Sequence, residues 1–167
     1  MRRIRIEPRH VARHSVGMKE RSLNTPVGWL TLTESQGEIS ALDWRKGGAD
    51  ASDLLDRAET QLRAYFAGEL EQFDLPLAPR GSALVKQVCA EMQAIPLGDT
   101  RSYGDLARKL GVSAQAIGQA CGANPIPVII PCHRILGANG LGGFSGAGGV
   151  ETKVWLLRHE GAAGLLI

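Results

Sequence analysis

Asn124–Gly146 reads NPIPVIIPCHRILGANGLGGFSG. An apolar run, Ile126 to Ile130, leads directly into Pro131-Cys132-His133-Arg134, and a glycine-rich segment follows. Free cysteine is among the most buried residue types, so a purely structural Cys132 is the bland expectation. Three neighbours argue for chemistry instead. Pro131 limits strand pairing beside the thiol, and His133 places a base next to it. Glycines at 137, 140, 142, 143, 146, 148 and 149 exceed what a core hairpin needs. The pattern predicts a buried strand that delivers a reactive thiol beneath a glycine loop. Asn124-Pro125 just upstream is suited to a turn, where an Asn side chain satisfies loose backbone groups. Neighbouring residues on an extended strand face opposite ways. Cys132 and His133 therefore exchange a proton directly only if the strand has ended; otherwise a water connects them. A thiol with an ordinary pKa of about 8.5 is mostly protonated at neutral pH, so it needs a base, and the base needs an orienting group. Glu160, at the end of a helix that follows the loop, is the candidate for that third place.

Upstream, Ser82 can cap a helix running to about Ala94, and Ile95-Pro96-Leu97-Gly98 stops it. A short helix over Tyr103–Leu110, a Gly111-Val112 turn and a helix from Ala114 to about Ala123, capped by Ser113, make a helix-turn-helix pattern. The second helix carries no charge. Major-groove readout wants long polar side chains; a face of Ala and Gly suits a backbone or a minor groove, or else only tight helix packing. The first half reads as a hairpin, with strands over Trp29–Thr33 and Ile39–Trp44, then a helix from Asp53 to about Ala67. No chemistry is visible there, so residues 22–78 read as a scaffold, 79–81 as a linker, and 81–167 as the working unit. Residues 1–21 are a basic arm, within which Arg3–Ile6 alternates like a short strand.

With 44% hydrophobic and 22% charged residues, the chain is an ordinary globular one, and a net charge of +2 permits nucleic-acid binding without demanding it. Three cysteines and no secretory segment point to free thiols in a reducing cytoplasm. There is no CxxC and no Cys/His cluster, so no metal site is expected. Nothing approaches the roughly 20 apolar residues of a membrane span.

PCHR preceded by Asn124-Pro125, followed by Gly142-Gly143-Phe144-Ser145-Gly146 and by Lys153-x-Trp155-Leu156-Leu157-x-His159-Glu160-Gly161, closely resembles the O6-alkylguanine-DNA alkyltransferase (methylated-DNA–protein-cysteine methyltransferase) family. Ile95-Pro96-x-Gly98, with Ser102-Tyr103-Gly104-x-Leu106-Ala107, fits the same family. The resemblance is strong over about residues 81–161 and only an outline before that. It implies an α/β protein: a small ribonuclease H-like N-terminal domain and a winged helix-turn-helix C-terminal domain. It also implies transfer of the alkyl group from guanine O6 to Cys132 in one irreversible step, with no cofactor and one use per molecule. The expected partner is double-stranded DNA carrying O6-alkylguanine, bound by a monomer. By the same resemblance His133 is the water-mediated base, Glu160 orients it, and Asn124 braces the turn before the thiol. Tyr103 donates towards guanine N3. Ser145, Gly143 and Gly146 hold O6, and Phe144 walls the pocket. Ser113, Gly104, Gln115 and Arg134 face DNA.

The sequence departs from the family at Gln115, where relatives usually place an arginine that fills the gap left by the flipped base. That departure predicts weaker flipping or weaker DNA affinity, offset by the basic arm or Arg134. Other readings are a non-catalytic lesion binder, which Cys132 argues against, and a winged-helix regulator with a reactive thiol, which the uncharged helix argues against. A Cys-His hydrolase is the least supported.

Overall fold

The computed structural model describes residues 17–162. Most of the basic arm, including Arg3–Ile6, lies outside the described residues. Its last residues do not: β1 runs from Met18 to Thr25, so residues 18–21 are strand and not arm. The charges misled. Lys19 donates to Ala51 O, and Arg21 bonds Asp50 O and pairs with Asp56, so the basic residues tie this edge strand to residues 50–51 and to the following helix.

β1, β2 (Gly28–Ser35) and β3 (Glu38–Asp43) form an antiparallel sheet in that order. Leu23, Leu30, Leu32, Ile39 and Leu42 are buried in one core, and α1 (Asp53–Phe66) packs on β1 and β2. The helix starts where Ser52 accepts from Leu55 N, and it buries Leu55, Ala58, Leu62 and Tyr65 along one stripe. Residues 76–78 then bond to both sides of Ile39 (2.8 and 2.9 Å), closing the unit.

The second unit begins with α2 (Ala83–Gln93), capped by Ser82. α3 (Tyr103–Leu110) and α4 (Ala114–Gly122) form the helix-turn-helix. Ser102 and Asp105 cap α3 reciprocally, and Gly111 ends it in the left-handed region (φ 68°). A two-residue parallel pair, β4 (Arg101–Ser102) with β5 (Ile135–Leu136), brings the segment after Cys132 beside the start of α3. α5 (Val150–His159) follows the glycine loop. No described helix is long and apolar enough to cross a membrane.

The run Ile126–Ile130 is not the buried strand expected of it. Ile129 N bonds Pro127 O and Ile130 N bonds Ile126 O, which makes a tight turn. Pro125, Pro127 and Pro131 withhold three of the donors a strand would need. The run is nonetheless buried, and β3 adjoins its start, with Leu42 N donating to Pro125 O at 2.9 Å.

Candidate active site

The turn that replaces the strand is held by one side chain. Asn124 is buried; its Nδ2 donates to Ile130 O (2.9 Å) and its Oδ1 accepts from Ile126 N (3.0 Å), tying both ends together. Inside the turn Val128 sits at φ 71°, an uncommon conformation for a β-branched residue. Cys132–Arg134 then form one turn of 3₁₀ helix, with Arg134 N bonding Pro131 O. The chain is no longer extended at the thiol, so the opposite-face objection to a Cys132–His133 pairing does not apply.

Behind Cys132 lies a buried polar cluster. His133 Nε2 is 2.6 Å from Glu160 Oε2, and Arg134 Nε donates to Glu160 Oε1 at 2.7 Å. Tyr65, from α1, donates its hydroxyl to the same Oε2 at 2.6 Å. Burial alone would raise the Glu160 pKa, but hydrogen bonds and charge from His133 and Arg134 outweigh it and hold the carboxyl down to about 2. Burial pushes the His133 pKa down against the pull of Glu160. An ionised carboxylate only accepts, so Nε2 carries the ring proton and Nδ1 presents a lone pair. That Nδ1 is buried without a protein partner. Burial also raises the Cys132 pKa, with the Asn124 side chain and the Lys153 charge working in the other direction. At rest the pair is a thiol and a neutral base.

Cys132 lines a cavity of about 710 Å³. Its walls come from the start of α3 (Tyr103, Gly104), from the small face of α4 (Ala114, Gly118, Cys121, Gly122) and from the glycine loop (Ala138, Gly143, Phe144, Ser145). Gly142 lies where a Cβ would come within 2.8 Å of the Tyr103 ring, at φ 72°, so only glycine lets the loop pass this side chain.

Six of the sequence-predicted residues therefore meet at the cavity: Tyr103, Gly104, Cys132, Gly143, Phe144 and Ser145. His133, Glu160 and Asn124 sit buried around the thiol's turn. Ser113 and Gln115 are exposed at the start of α4, next to the lining residue Ala114. Two placements differ from expectation. Arg134, expected to face DNA, is 7% exposed, and it also donates to Ile95 O at 2.7 Å, so its charge is spent inside the fold. Gly146 does not line the cavity; it packs behind Phe144, where a Cβ would meet Phe144 at 2.5 Å and Trp44 at 2.7 Å.

Four residues escaped the sequence reading. Lys153 is fully buried and donates to Ile135 O (2.6 Å) and Gly143 O (3.1 Å), joining the segment after Cys132 to the loop. Burial lowers its pKa to about 8, against the opposing influence of Cys132 and Cys121. A signal for it existed: Lys153, Leu156, Leu157 and Glu160 recur at helical spacing, which puts two charges on a buried stripe. Cys121 shares the cavity wall. Tyr65 and Trp44 arrive from the first unit, Trp44 lying edge-on to Phe144 with ring centroids 5.8 Å apart. Such contacts across the chain leave no local pattern.

Two family models match the chain: the ribonuclease-like domain of 6-O-methylguanine DNA methyltransferase over residues 18–79, and the DNA-binding domain of the same family over 83–162. A methylated-DNA–protein-cysteine methyltransferase from Methanosarcina acetivorans is 37% identical over 150 residues, 83% of this chain and 95% of the relative. One from Mycolicibacterium paratuberculosis is 40% identical over 151 residues, 84% and 90% of the two chains. The crystal structure of Mycobacterium tuberculosis O6-methylguanine methyltransferase superposes with a TM-score of 0.77 at 35% identity, covering 90% of this chain and 96% of that one. The M. tuberculosis protein in complex with DNA gives 0.76 at 39% identity, covering 85% and 92%.

Proposed function

The chain belongs to the 6-O-methylguanine DNA methyltransferase family, and on that premise we propose that Cys132 itself takes the alkyl group from O6 of an alkylated guanine in duplex DNA. The observation that carries this reading is the cavity with Cys132 in its wall and, behind it, the unpartnered Nδ1 of a histidine whose other nitrogen is fixed by Glu160. Residues 22–78 act as the platform and 81–167 as the DNA-binding and acceptor unit. The protein works as a monomer, and its free thiols suit the cytoplasm.

The step runs in order. His133 Nδ1 takes the thiol proton, directly or through one water, and Glu160 stabilises the imidazolium that forms. The thiolate attacks the alkyl carbon, so an S–C bond forms as the C–O6 bond breaks, and the electron pair stays on the guanine. Guanine leaves poorly as an anion, and a proton supplied to N3 lowers that barrier. Tyr103 is suited to supply it: its ring faces the cavity and burial raises its pKa, which keeps the hydroxyl protonated. Lys153 helps stabilise the thiolate and holds the loop at Gly143. Ser145 and the neighbouring amides receive O6.

A target base reaches this buried thiol only by leaving the stack, at a few kcal/mol. Ala114, Gly118 and Gly122 give α4 a low profile that admits it. Affinity rests on phosphate contacts, because a lesion occurs in any sequence. The test is intact-mass analysis after incubation with duplex DNA carrying O6-methylguanine. One methyl per molecule, on Cys132 and absent from the Cys132→Ser variant, is the expected result. Repeated turnover, or an unmodified protein that still binds the duplex, overturns the reading; the second outcome supports a lesion binder.

A further inference from the structure

None of the residues lining the Cys132 cavity comes from the first unit, yet α1 sends a side chain into the acid–base cluster. Tyr65 is 2% exposed, and its hydroxyl and His133 Nε2 both lie 2.6 Å from one oxygen, Glu160 Oε2. The ring is held on three sides: Phe66 and His159 stand edge-on at 5.0 and 5.3 Å, and Phe73 is tilted at 5.6 Å. An ionised carboxylate has no proton to give, so Tyr65 is the donor in this contact. Burial and the Glu160 charge both raise the Tyr65 pKa, which keeps the phenol protonated.

Two donors on one oxygen have a chemical consequence. The phenol withdraws charge from Oε2, so the carboxylate competes less strongly for the Nε2 proton and holds the imidazolium less tightly. It also fixes where Oε2 sits, and the ring plane of His133 follows. We propose that Tyr65 is a positioning residue of the alkyl-transfer step: through Glu160 Oε2, the N-terminal unit sets both the orientation and the basicity of His133. This rests on the acceptor role assigned to Cys132. The charged and titratable groups around the relay are Tyr65 from α1, Cys132, His133 and Arg134 from the 3₁₀ turn, and Lys153, His159 and Glu160 from α5 or its end. A purely structural role, tying α1 to α5, is the competing explanation. A second such tie already exists, with His159 Nε2 donating to Tyr65 O at 2.6 Å.

The experiment measures single-turnover methylation of Cys132 against pH in the full chain. Tyr65→Phe keeps the ring and removes the donor. The variant is therefore expected to react about tenfold more slowly at the plateau, with the acid limb of the profile moved up by about one pH unit. DNA affinity stays as in the wild type. 3-Fluorotyrosine placed at position 65 alone is a stronger donor of the same shape and is expected to move the acid limb down, so a poorly folding phenylalanine variant does not end the test. His159→Phe breaks the other tie and is expected to lower the unfolding temperature without moving the limb. A Tyr65→Phe profile that overlays the wild type, or an acid limb unmoved by fluorotyrosine, overturns the proposal. A wild-type protein that never gains mass instead overturns the acceptor reading beneath it.

Discussion

Replacing Lys153 by methionine is expected to slow alkyl transfer strongly while costing little stability. The buried ammonium bridges Ile135 O and Gly143 O and acts on the Cys132 thiolate. Burial takes its pKa from 10.5 to about 8, so keeping the charge in the fold costs about 3 kcal/mol at neutral pH. Methionine, of similar length, removes that cost. It also forfeits two hydrogen bonds from a charged donor, each worth about 1.5–3 kcal/mol. The opposing terms leave a net loss of about 0–3 kcal/mol at pH 7. The sign with pH follows: the cost is fully present below about 8 and is released as pH rises towards 10.5. The wild type therefore gains on the variant across that window by about 3 kcal/mol. The rate has no such compensation. Losing a charge-assisted stabilisation of about 2–3 kcal/mol slows the step roughly 30- to 150-fold. Intact-mass time courses on O6-methylguanine duplex give the rate, and urea unfolding at pH 7 and pH 10 gives the stability. A variant that reacts within threefold of the wild type, or whose stability deficit does not grow with pH, refutes the reasoning.

Other substitutions probe separate parts of the site. Gln115→Arg is expected to raise the rate on duplex several-fold and to steepen the salt dependence of binding by about one phosphate contact, leaving the rate on free O6-alkylguanine base unchanged; no gain on duplex sinks the idea that Gln115 limits delivery. Glu160 has a folded pKa of about 2 against an ordinary 4.5, so it contributes about 3 kcal/mol that is present above pH 4.5 and lost as pH falls towards 2. Glu160→Gln should flatten acid unfolding in that window, and an unaltered profile counts against it. Gly146→Ala should push Phe144 into the cavity and slow transfer, and adding Trp44→Ala should restore part of the rate; strictly additive losses contradict a shared contact.

The sequence made visible what local chemistry dictates. Ser82 and Ser113 cap the helices they were expected to cap, and Tyr103–Leu110 is helical over the predicted span, because short polar caps and glycine stops act within a few residues. Cys132, His133, Glu160 and much of the glycine loop could be picked out for the same reason: they stand in dense, unusual strings, and the structure puts them at or behind one cavity. What was hidden depends on contacts made across the fold. Ile126–Ile130 is apolar enough for a strand, but three prolines and the Asn124 ties make it a turn. Arg134 looked like a surface cation until Glu160 and Ile95 O claimed it. Tyr65 is 95 residues from Glu160. No window of sequence contains both.

Val128, at φ 71° and 1% exposed, holds a costly backbone conformation inside the turn that carries Cys132. Such conformations cost about 1–3 kcal/mol and last only where the surroundings enforce them. Glycine would relieve the backbone but leave a hole where the isopropyl group packs. The turn therefore has no cheap route to relaxation. It keeps its shape before any DNA arrives, and the energy for aiming the sulfur comes out of folding stability rather than out of binding. Selection for heat resistance at this turn would work against reactivity. A protein that reacts once gains most from a thiol already in place at first encounter.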